Sequence, residues 1–270
     1  MMSKTKGYPR FLAPKKLQPH YPLFVFLPGM DGTGELLRSQ TNRLEIGFDV
    51  RCLAIPPDDL NNWDFLSSKV VSLIENEIKK HHRPVYLCGE SFGACLAIKV
   101  ILKAPHLIDR MILVNSASSY NFRPWLHWGS YITDVLPDVV YPVSVMSLLP
   151  FLASLGKIES SDRNALINAM HSVSQKSVVW RMSLLREFYI TPTELSKINH
   201  QVLLIAAAFD RLLPSVAEAH RLGKIFPNAH KVVLPNSGHT CLLETDVNLY
   251  QILQQHNFLL KEGKRIVSQI

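Results

Sequence analysis

Gly89-Glu90-Ser91-Phe92-Gly93 is the stretch that decides the fold of this chain. A strand-like apolar segment, residues 84–88 (PVYLC), precedes it, and a helix-like segment, residues 94–103, follows it. A G-x-S-x-G pattern at a strand-to-helix turn is typical of a nucleophile elbow, whose strained backbone lifts the serine hydroxyl above the sheet. The two glycines are needed because the strand and the helix approach closely at this turn. The motif therefore predicts Ser91 as a nucleophile.

A long apolar run, residues 201–209 (QVLLIAAAF), ends at Asp210. Such a run is typical of a strand that is buried on both faces of a parallel sheet. Open α/β sheets bind their ligands at the carboxyl ends of the strands, which is where Asp210 falls. A turn or helix-cap aspartate is the alternative interpretation. The order serine, acid, histidine along the chain favours Asp210 as the acid of a catalytic triad.

The candidate base is His239, in the loop PNSGH (235–239) after a short strand-like segment at 231–234. The chain contains 11 histidines, and His239 is the one that follows Asp210 at a predicted strand end. Surface positions are expected for His81, His82, His106, His220 and His256. The Ser91 hydroxyl is too weakly acidic to attack unaided. His239 would take its proton, and Asp210 would orient and stabilise the imidazolium.

An oxyanion hole is predicted from two backbone N–H groups. One belongs to Phe92, the residue after the expected nucleophile. The other is assigned to Met30 in the glycine-rich loop 28–34 (PGMDGTG), which follows the strand-like segment 23–27 (LFVFL). A phosphate-binding loop is the alternative, but the segment lacks the Lys-Ser/Thr ending of a P-loop and the glycine order of a dinucleotide fingerprint.

Strand-like and helix-like segments alternate along the chain, which predicts an α/β protein with a doubly wound, mainly parallel sheet. Strands are expected near residues 23–28, 49–55, 84–89, 110–115, 201–208 and 230–234. Helices are expected near residues 64–82, 92–104, 214–226 and 243–261. An insertion interrupts the alternation between about residues 120 and 199.

The chain has 270 residues, of which 47% are hydrophobic, and this suffices for one domain with a large core and an insertion. We expect a loose basic arm at residues 1–20 without a signal peptide, a core at 21–120 and 200–270, and an apolar helical cap at 121–199. The four cysteines lack metal-site or disulfide spacing. They predict reduced core residues in a cytoplasmic protein, with no metal and no dissociable cofactor.

The insertion contains an uncharged stretch, residues 139–156, that approaches the length of a membrane-spanning helix. Pro142 and Pro150 interrupt it, which disfavours a span. Two compatible interpretations stay open: an ordinary helical cap, or a cap that forms an acyl-chain tunnel and dips into a bilayer surface. Substrate contacts are assigned to Trp125, Trp128, Met146 and Leu149. Residues 160–188 are expected to add a helical pair, capped by Ser161 or Asp162.

The net charge is +7 and the isoelectric point is near 9.2. A basic protein is attracted to nucleic acid, to anionic lipid surfaces or to acidic carrier proteins. The lysines and arginines are mostly scattered, and the sequence contains no recognised nucleic-acid-binding module. We therefore expect membrane or carrier contact and no nucleic acid partner.

Four segments carry a family resemblance: FLPGMDGTG (26–34), GESFG (89–93), LVNSA (113–117) and SGH (237–239). Over nearly all of residues 20–260 the chain resembles the α/β-hydrolase half of the plant and cyanobacterial esterase/lipase/thioesterase family, which includes phytyl ester synthases. The resemblance implies an α/β-hydrolase fold and a triad of Ser91, Asp210 and His239. It also implies transfer of long fatty acyl groups from an acyl ester, acyl-CoA or acyl-carrier protein to water or to a lipid alcohol such as phytol or diacylglycerol.

Longer plant members resemble a fusion with a second, acyltransferase-like half that bears a His-x-x-x-x-Asp motif. No histidine of this chain has an aspartate five positions later, so we expect the serine triad to act alone. The predicted protein is a serine esterase, lipase, thioesterase or acyltransferase of lipid metabolism. It is expected in the cytoplasm, peripheral to a membrane, which in a photosynthetic host is the thylakoid. Two alternatives stay open: a hydrolase-fold enzyme of another reaction type, such as a C–C hydrolase or a lyase, and a non-catalytic lipid- or partner-binding module.

Overall fold

A seven-stranded sheet forms the centre of the molecule, with strands in the order β1-β3-β2-β4-β5-β6-β7. The computed structural model describes residues 7–15, 17–122 and 149–260. The strands are β1 (Arg10–Leu12), β2 (Leu23–Leu27), β3 (Asp49–Ala54), β4 (Val85–Glu90), β5 (Arg110–Val114), β6 (Gln201–Ala207) and β7 (Ala229–Leu234). The pairs from β3 across to β7 are parallel, whereas β1 is antiparallel to β3. The predicted mainly parallel sheet is confirmed.

Helices cover both faces of this sheet. Those of the described residues are α1 (Arg38–Leu44), α2 (Trp63–Lys80), α3 (Phe92–Lys103), α4 (Leu149–Leu152), α5 (Ser160–Ser172), α6 (Gln175–Glu187), α7 (Pro192–Leu195), α8 (Ser215–Ile225) and α9 (Leu249–Gln255). On one face, Leu87 and Met111 share a core cluster with α2, α3 and α8. On the other, Tyr86 and Ile112 share a cluster with α1 and α9. Because neighbouring residues of a strand enter opposite clusters, the central strands β2, β4, β5 and β6 have long apolar runs.

The N-terminal arm is partly held on the sheet. Residues Arg10–Leu12 pair with β3, in a register that places Leu12 opposite Cys52. The side chain of Gln18 donates a hydrogen bond to the carbonyl of Glu45 at 2.7 Å. The expectation of a loose arm is therefore wrong for these residues, because edge pairing satisfies backbone groups that the sequence pattern left unassigned.

The predicted helix at residues 243–261 is too long. The observed helix α9 begins after Asn248, whose side chain accepts a hydrogen bond from the N–H of Gln251 at 3.1 Å. The chain leaves the helix at His256, and Asn257 has a φ of 51°. A helix over Arg38–Leu44, by contrast, was not predicted, since its sequence RSQTNRL is mostly polar.

The helical pair expected over residues 160–188 is confirmed as α5 and α6. The predicted cap residues are wrong, because α5 begins at Ser160 with Glu159 in the capping position. The carboxylate of Asp162 instead accepts a hydrogen bond from Ser39 at 2.6 Å and pairs with Arg38 at 3.1 Å. These contacts join the insertion to the core. The division of the chain into arm, core and cap stays a prediction.

Candidate active site

The turn from β4 into α3 has the strained geometry of a nucleophile elbow. Ser91 has φ 54° and ψ −112°, a left-handed backbone that is unfavourable for any residue with a Cβ. A Cβ at Gly89 would lie 2.2 Å from the carbonyl oxygen of Gly93, and a Cβ at Gly93 would lie 2.0 Å from that of Leu27. Glycine is therefore required at both positions, as the spacing of the motif predicts.

Asp210 lies just past β6 and is held by several donors. Its Oδ1 accepts hydrogen bonds from the N–H groups of Leu212 and Leu213, each at 2.9 Å. Its Oδ2 accepts from the hydroxyl of Ser215 at the start of α8 and also faces His239. The carboxylate is thus oriented by the turn that leads from the strand into the helix, which is the local reason for an acid at this position.

The structure brings the three predicted side chains into one hydrogen-bonded chain. The His239 Nδ1 lies 2.8 Å from the Asp210 Oδ2, and the His239 Nε2 lies 3.1 Å from the Ser91 Oγ. Ser91 is 7% exposed and His239 is 4% exposed. An imidazole bonded in this way on both nitrogens can accept the serine proton on one side while a carboxylate supports it on the other.

Electrostatics favour the charged form of this pair. Burial opposes ionisation of Asp210, but the neighbouring His239 and the hydrogen bonds outweigh it, so the pKa of Asp210 is lowered. Burial likewise opposes charge on His239, yet Asp210 outweighs it and the pKa of His239 is raised. The imidazole is therefore a stronger base than a free histidine.

The loop that carries His239 is positioned by residues that the sequence analysis did not assign to the site. Asn115, which is 1% exposed and follows β5, donates from its Nδ2 to the carbonyl of His239 at 2.7 Å. Glu244 accepts from the N–H of Gly238 at 2.7 Å. The N–H of Thr240 donates to the carbonyl of Leu152, at the end of α4, at 2.9 Å. The sequence signal that could have identified Asn115 as a site residue is an amide side chain directly after an apolar strand.

The loop predicted to supply Met30 lies against the nucleophile. A Cβ at Gly29 would lie 3.9 Å from the Cβ of Ser91. Arg181 of α6 donates to the carbonyl of Met30 at 2.6 Å and to that of Pro56 at 3.0 Å. Gly32 leaves room for this arginine, since a Cβ there would lie 2.7 Å from its Nη1. A helix of the insertion therefore holds the loop in place, although sequence spacing gave no sign of it.

Phe92, the other predicted donor, is the first residue of α3, so its N–H has no acceptor within the helix. Its ring stacks on Trp63, with centroids 4.6 Å apart. The Trp63 indole donates to the carbonyl of Leu184 at 2.9 Å. The turn at the nucleophile is thus packed between α2 and the insertion. That the N–H groups of Met30 and Phe92 bind an oxyanion stays a prediction.

Most of the residues expected to contact a substrate in the cap lie in a part of the chain that the structure does not describe. Trp125, Trp128 and Met146 lie outside the described residues. Leu149 is buried in a small apolar cluster with residues such as Leu36 and Leu243, between the insertion and the core. Contact of Leu149 with a substrate stays a prediction.

A cavity of about 750 Å³ opens next to this segment and is lined by Phe151, Lys157, Phe209, Arg211 and Gly238, among others.

The four cysteines are buried and unpaired, and burial raises the pKa of each thiol. In the part of the chain that the structure covers, no three or more His, Cys, Asp and Glu side chains gather as a metal site would require. Within the same residues, no helix has both the length and the apolar character that crossing a membrane demands.

The sequence and the fold match known hydrolases. The family described as Serine aminopeptidase, S33 (Hydrolase_4) matches residues 59–246. Phytyl ester synthase 1, chloroplastic, from Arabidopsis thaliana is 30% identical over an alignment of 257 positions, which covers 86% of this chain and 36% of that protein. Phytyl ester synthase 2, chloroplastic, of the same plant is 25% identical over an alignment of 282 positions, which covers 92% of this chain and 40% of that protein. The chain spans less than half the length of these curated relatives.

A solved structure supports the same fold. The α/β hydrolase MGS-M2, from a Medee basin deep-sea metagenome library, superimposes with a TM-score of 0.74 at 17% identity. The superposition covers 96% of this chain and 97% of that chain. The expected α/β-hydrolase fold is confirmed.

Proposed function

Because this chain is an α/β-hydrolase enzyme that belongs to the family described as Serine aminopeptidase, S33 (Hydrolase_4), we propose that it transfers acyl groups through a covalent intermediate on Ser91. The hydrogen-bonded chain from Ser91 through His239 to Asp210 is the observation that carries this proposal. It lies at the carboxyl edge of the sheet, where open α/β sheets bind ligands.

The reaction has two steps. In the first, the Ser91 oxygen attacks the carbonyl carbon of an ester or thioester while His239 takes the hydroxyl proton. His239 then gives this proton to the departing alcohol or thiol, and an acyl-enzyme remains. In the second step, His239 takes a proton from water or from an acceptor alcohol, whose oxygen attacks the acyl carbon. Collapse of the second tetrahedral intermediate returns the proton to Ser91 and releases the product.

Charge develops on the carbonyl oxygen in both steps. The N–H groups of Met30 and Phe92 are proposed to stabilise it, each worth roughly a hundredfold to a thousandfold in rate by analogy with other oxyanion holes. Arg181 acts on one of them indirectly, since its hydrogen bond to the Met30 carbonyl holds the peptide backbone there. Asp210 keeps the imidazole in the tautomer that presents a bare Nε2 to the serine.

Fatty acyl esters or thioesters are the proposed substrates, with acyl-CoA and acyl-carrier protein among the donors and phytol-type or diacylglycerol-type alcohols or water as acceptors. Two observations support this class. Two relatives that match most of this chain are phytyl ester synthases, and the insertion contains the uncharged apolar stretch 139–156. The net charge of +7 suits a protein that reaches such substrates at an anionic membrane surface.

Labelling with a fluorophosphonate tests the nucleophile directly. We expect stoichiometric labelling of the wild type, mapped to Ser91 by mass spectrometry, together with hydrolysis of p-nitrophenyl butyrate. Ser91→Ala should lose both. Ser67→Ala is the matched control, because Ser67 is also buried but lies on α2 with its hydroxyl bonded to the Asp64 carbonyl. Turnover by the Ser91→Ala variant close to the wild-type rate would exclude this mechanism.

Competition between acceptors separates transfer from hydrolysis. The acylated enzyme is offered phytol or diacylglycerol in vesicles, and the ester product is measured against free fatty acid. An ester yield that rises with acceptor concentration identifies a transferase. A yield of fatty acid alone identifies an esterase or thioesterase. A labelled Ser91 without turnover of any ester or thioester would favour a different reaction type, such as C–C bond hydrolysis.

A further inference from the structure

Glu90 is a buried carboxyl group that the proposed mechanism does not use. It lies directly before Ser91 and is 7% exposed. Its Oε1 has no hydrogen-bond partner among the residues that the structure describes. Leaving a buried oxygen unpaired is unfavourable for folding, because the lost hydration is not replaced. Groups of this kind are concentrated at functional sites.

The position of Glu90 on its strand directs it toward the histidine loop. Side chains alternate along β4, so Glu90 lies on the same face as Tyr86 and Cys88. Those two residues belong to the core cluster that also contains Cys241, two residues past His239. Burial raises the pKa of the Cys241 thiol, and the nearby charges of Glu90, Glu244 and Asp210 raise it further. The carboxyl group of Glu90 is therefore close enough to the loop that carries the base to interact electrostatically with Cys241 and His239.

The charged groups that act on Glu90 come from three separate loops: His239, Asp31 and Asp210. The pKa of Glu90 is raised to about 8, chiefly by burial and further by the charges of Asp31 and Asp210, while His239 opposes the rise. Asp31 is half-buried and lies close to the charge of Arg181, in the loop that carries Met30. Glu90 is therefore mostly neutral in neutral solution and anionic above about pH 8.

We propose that Glu90 is a second electrostatic partner of His239, which acts through the base and not on the substrate: its negative charge stabilises the imidazolium that forms during attack. This inference rests on the proposed function of Ser91 and His239. Asp210 already holds one side of the imidazole by a hydrogen bond of 2.8 Å. Glu90 contributes a charge without a hydrogen bond, so its effect is switched by its own protonation and leaves the geometry of the site unchanged.

The test is the pH dependence of inactivation by a small neutral fluorophosphonate, which needs only the nucleophile and the base. In the wild type the rate constant should rise in two steps, one as His239 loses its proton and one near pH 8 as Glu90 ionises. We expect the second rise to be on the order of threefold to tenfold, since a more basic imidazole is a better general base. Glu90→Gln keeps the size and removes the charge, and should show the first step alone.

Two further variants make the result specific. Asp162→Asn removes another buried carboxyl group, one that pairs with Arg38 at 3.1 Å away from the histidine loop, and should keep both steps. Glu90→Met tests the same loss of charge with an apolar side chain, should Glu90→Gln fold poorly, and should show one step. A wild type with one step, or a Glu90→Gln variant with two, would overturn the inference.

The direction in which the inactivation rate constant changes near pH 8 tests the assignment to His239 separately. A rate that falls near pH 8 in the wild type and stays level in Glu90→Gln would mean that the negative charge acts on the oxyanion, and the assignment to His239 would be wrong. Absence of any labelling of wild-type Ser91 would instead remove the proposed function itself, so the two failures are distinguishable.

Discussion

At the amino ends of the parallel strands, Arg51 and Arg83 are buried and both pair with the buried carboxylate of Asp49. At the carboxyl ends, the side chains of Asp210 and His239 are buried near Glu90, a carboxyl group with an unpaired oxygen. Asp49 pairs with Arg51 at 2.8 Å and with Arg83 at 2.6 Å. Both arginines also pair with Glu77. The pKa of Asp49 is lowered, since hydrogen bonds from Arg51, Gln18 and Arg83 outweigh its burial.

The difference shows two uses of buried charge in one sheet. A network whose carboxylate is paired on both oxygens is insensitive to pH near neutrality and serves to join β3 to the segment before β4. A group whose charge is incompletely compensated keeps a perturbed pKa and responds to a proton or to a developing charge. Substitutions at the carboxyl edge should therefore change the reaction, and those at the amino edge should change stability.

The largest expected effect is on catalysis. Asp210→Asn should reduce kcat for p-nitrophenyl butyrate by roughly a thousandfold to ten-thousandfold, because the amide favours the wrong imidazole tautomer. Asp64→Asn is the control, since the Asp64 side chain is 81% exposed and pairs with Lys103 on the surface. Activity of Asp210→Asn within tenfold of the wild type would remove the distinction between the two edges.

Asp49→Asn should act in the opposite way. The Asp49 side chain is 1% exposed, so its loss leaves Arg51 and Arg83 buried with Glu77 as their remaining carboxylate. We expect a loss of about 3–5 kcal/mol in the free energy of unfolding, measured in urea, with kcat per folded molecule unchanged. A stability loss below 1 kcal/mol, or a large fall in kcat for the folded fraction, would contradict this.

Arg181→Lys tests the contact between the insertion and the loop of Met30. Lysine keeps the charge but cannot reach the carbonyls of Met30 and Pro56 together, since it lacks the planar fork of arginine. The loss in kcat should be roughly tenfold to a hundredfold with a small change in KM, because the displaced loop fails mainly in the transition state. A rise in KM at unchanged kcat would place Arg181 in substrate binding instead.

The smallest expected effect is the pH dependence of stability at Glu90. Burial raises the pKa of Glu90 from 4.5 to about 8, so the folded state binds the proton more tightly than the unfolded chain. The stability gained from the protonated form is complete below about pH 4.5 and is lost as the pH rises to about 8. Glu90→Gln should gain stability relative to the wild type between pH 5 and 8, on the order of 1–3 kcal/mol.

Thermal unfolding of both proteins across this pH range provides the measurement. A difference in Tm between Glu90→Gln and the wild type that stays constant with pH would mean that Glu90 ionises normally. This readout does not depend on activity, and it remains informative even if the proposed substrates are wrong.

Sequence patterns predicted the centre of the sheet well, because β2, β4, β5 and β6 are buried on both faces and are mostly apolar. Sequence patterns did not predict helix α1, because its formation depends on contacts with residues far away in the chain. Gln40, fully buried within it, donates to the carbonyls of Leu242 and Val247 and accepts from the N–H of Leu249. A polar side chain that satisfies backbone groups some 200 residues away has no signature in local periodicity.

In the candidate site, too, some residues could be predicted from the sequence and others only from the tertiary structure. Ser91, Asp210 and His239 follow predicted strands, and parallel strands bring their carboxyl ends to one edge, so the sequence alone determined which side chains would meet. Asn115, Arg181, Glu244 and Glu90 act through backbone carbonyls, N–H groups or unpaired charge. Only the tertiary structure decided their positions, because burial and hydrogen bonding between segments far apart in the chain depend on how the loops pack above the sheet.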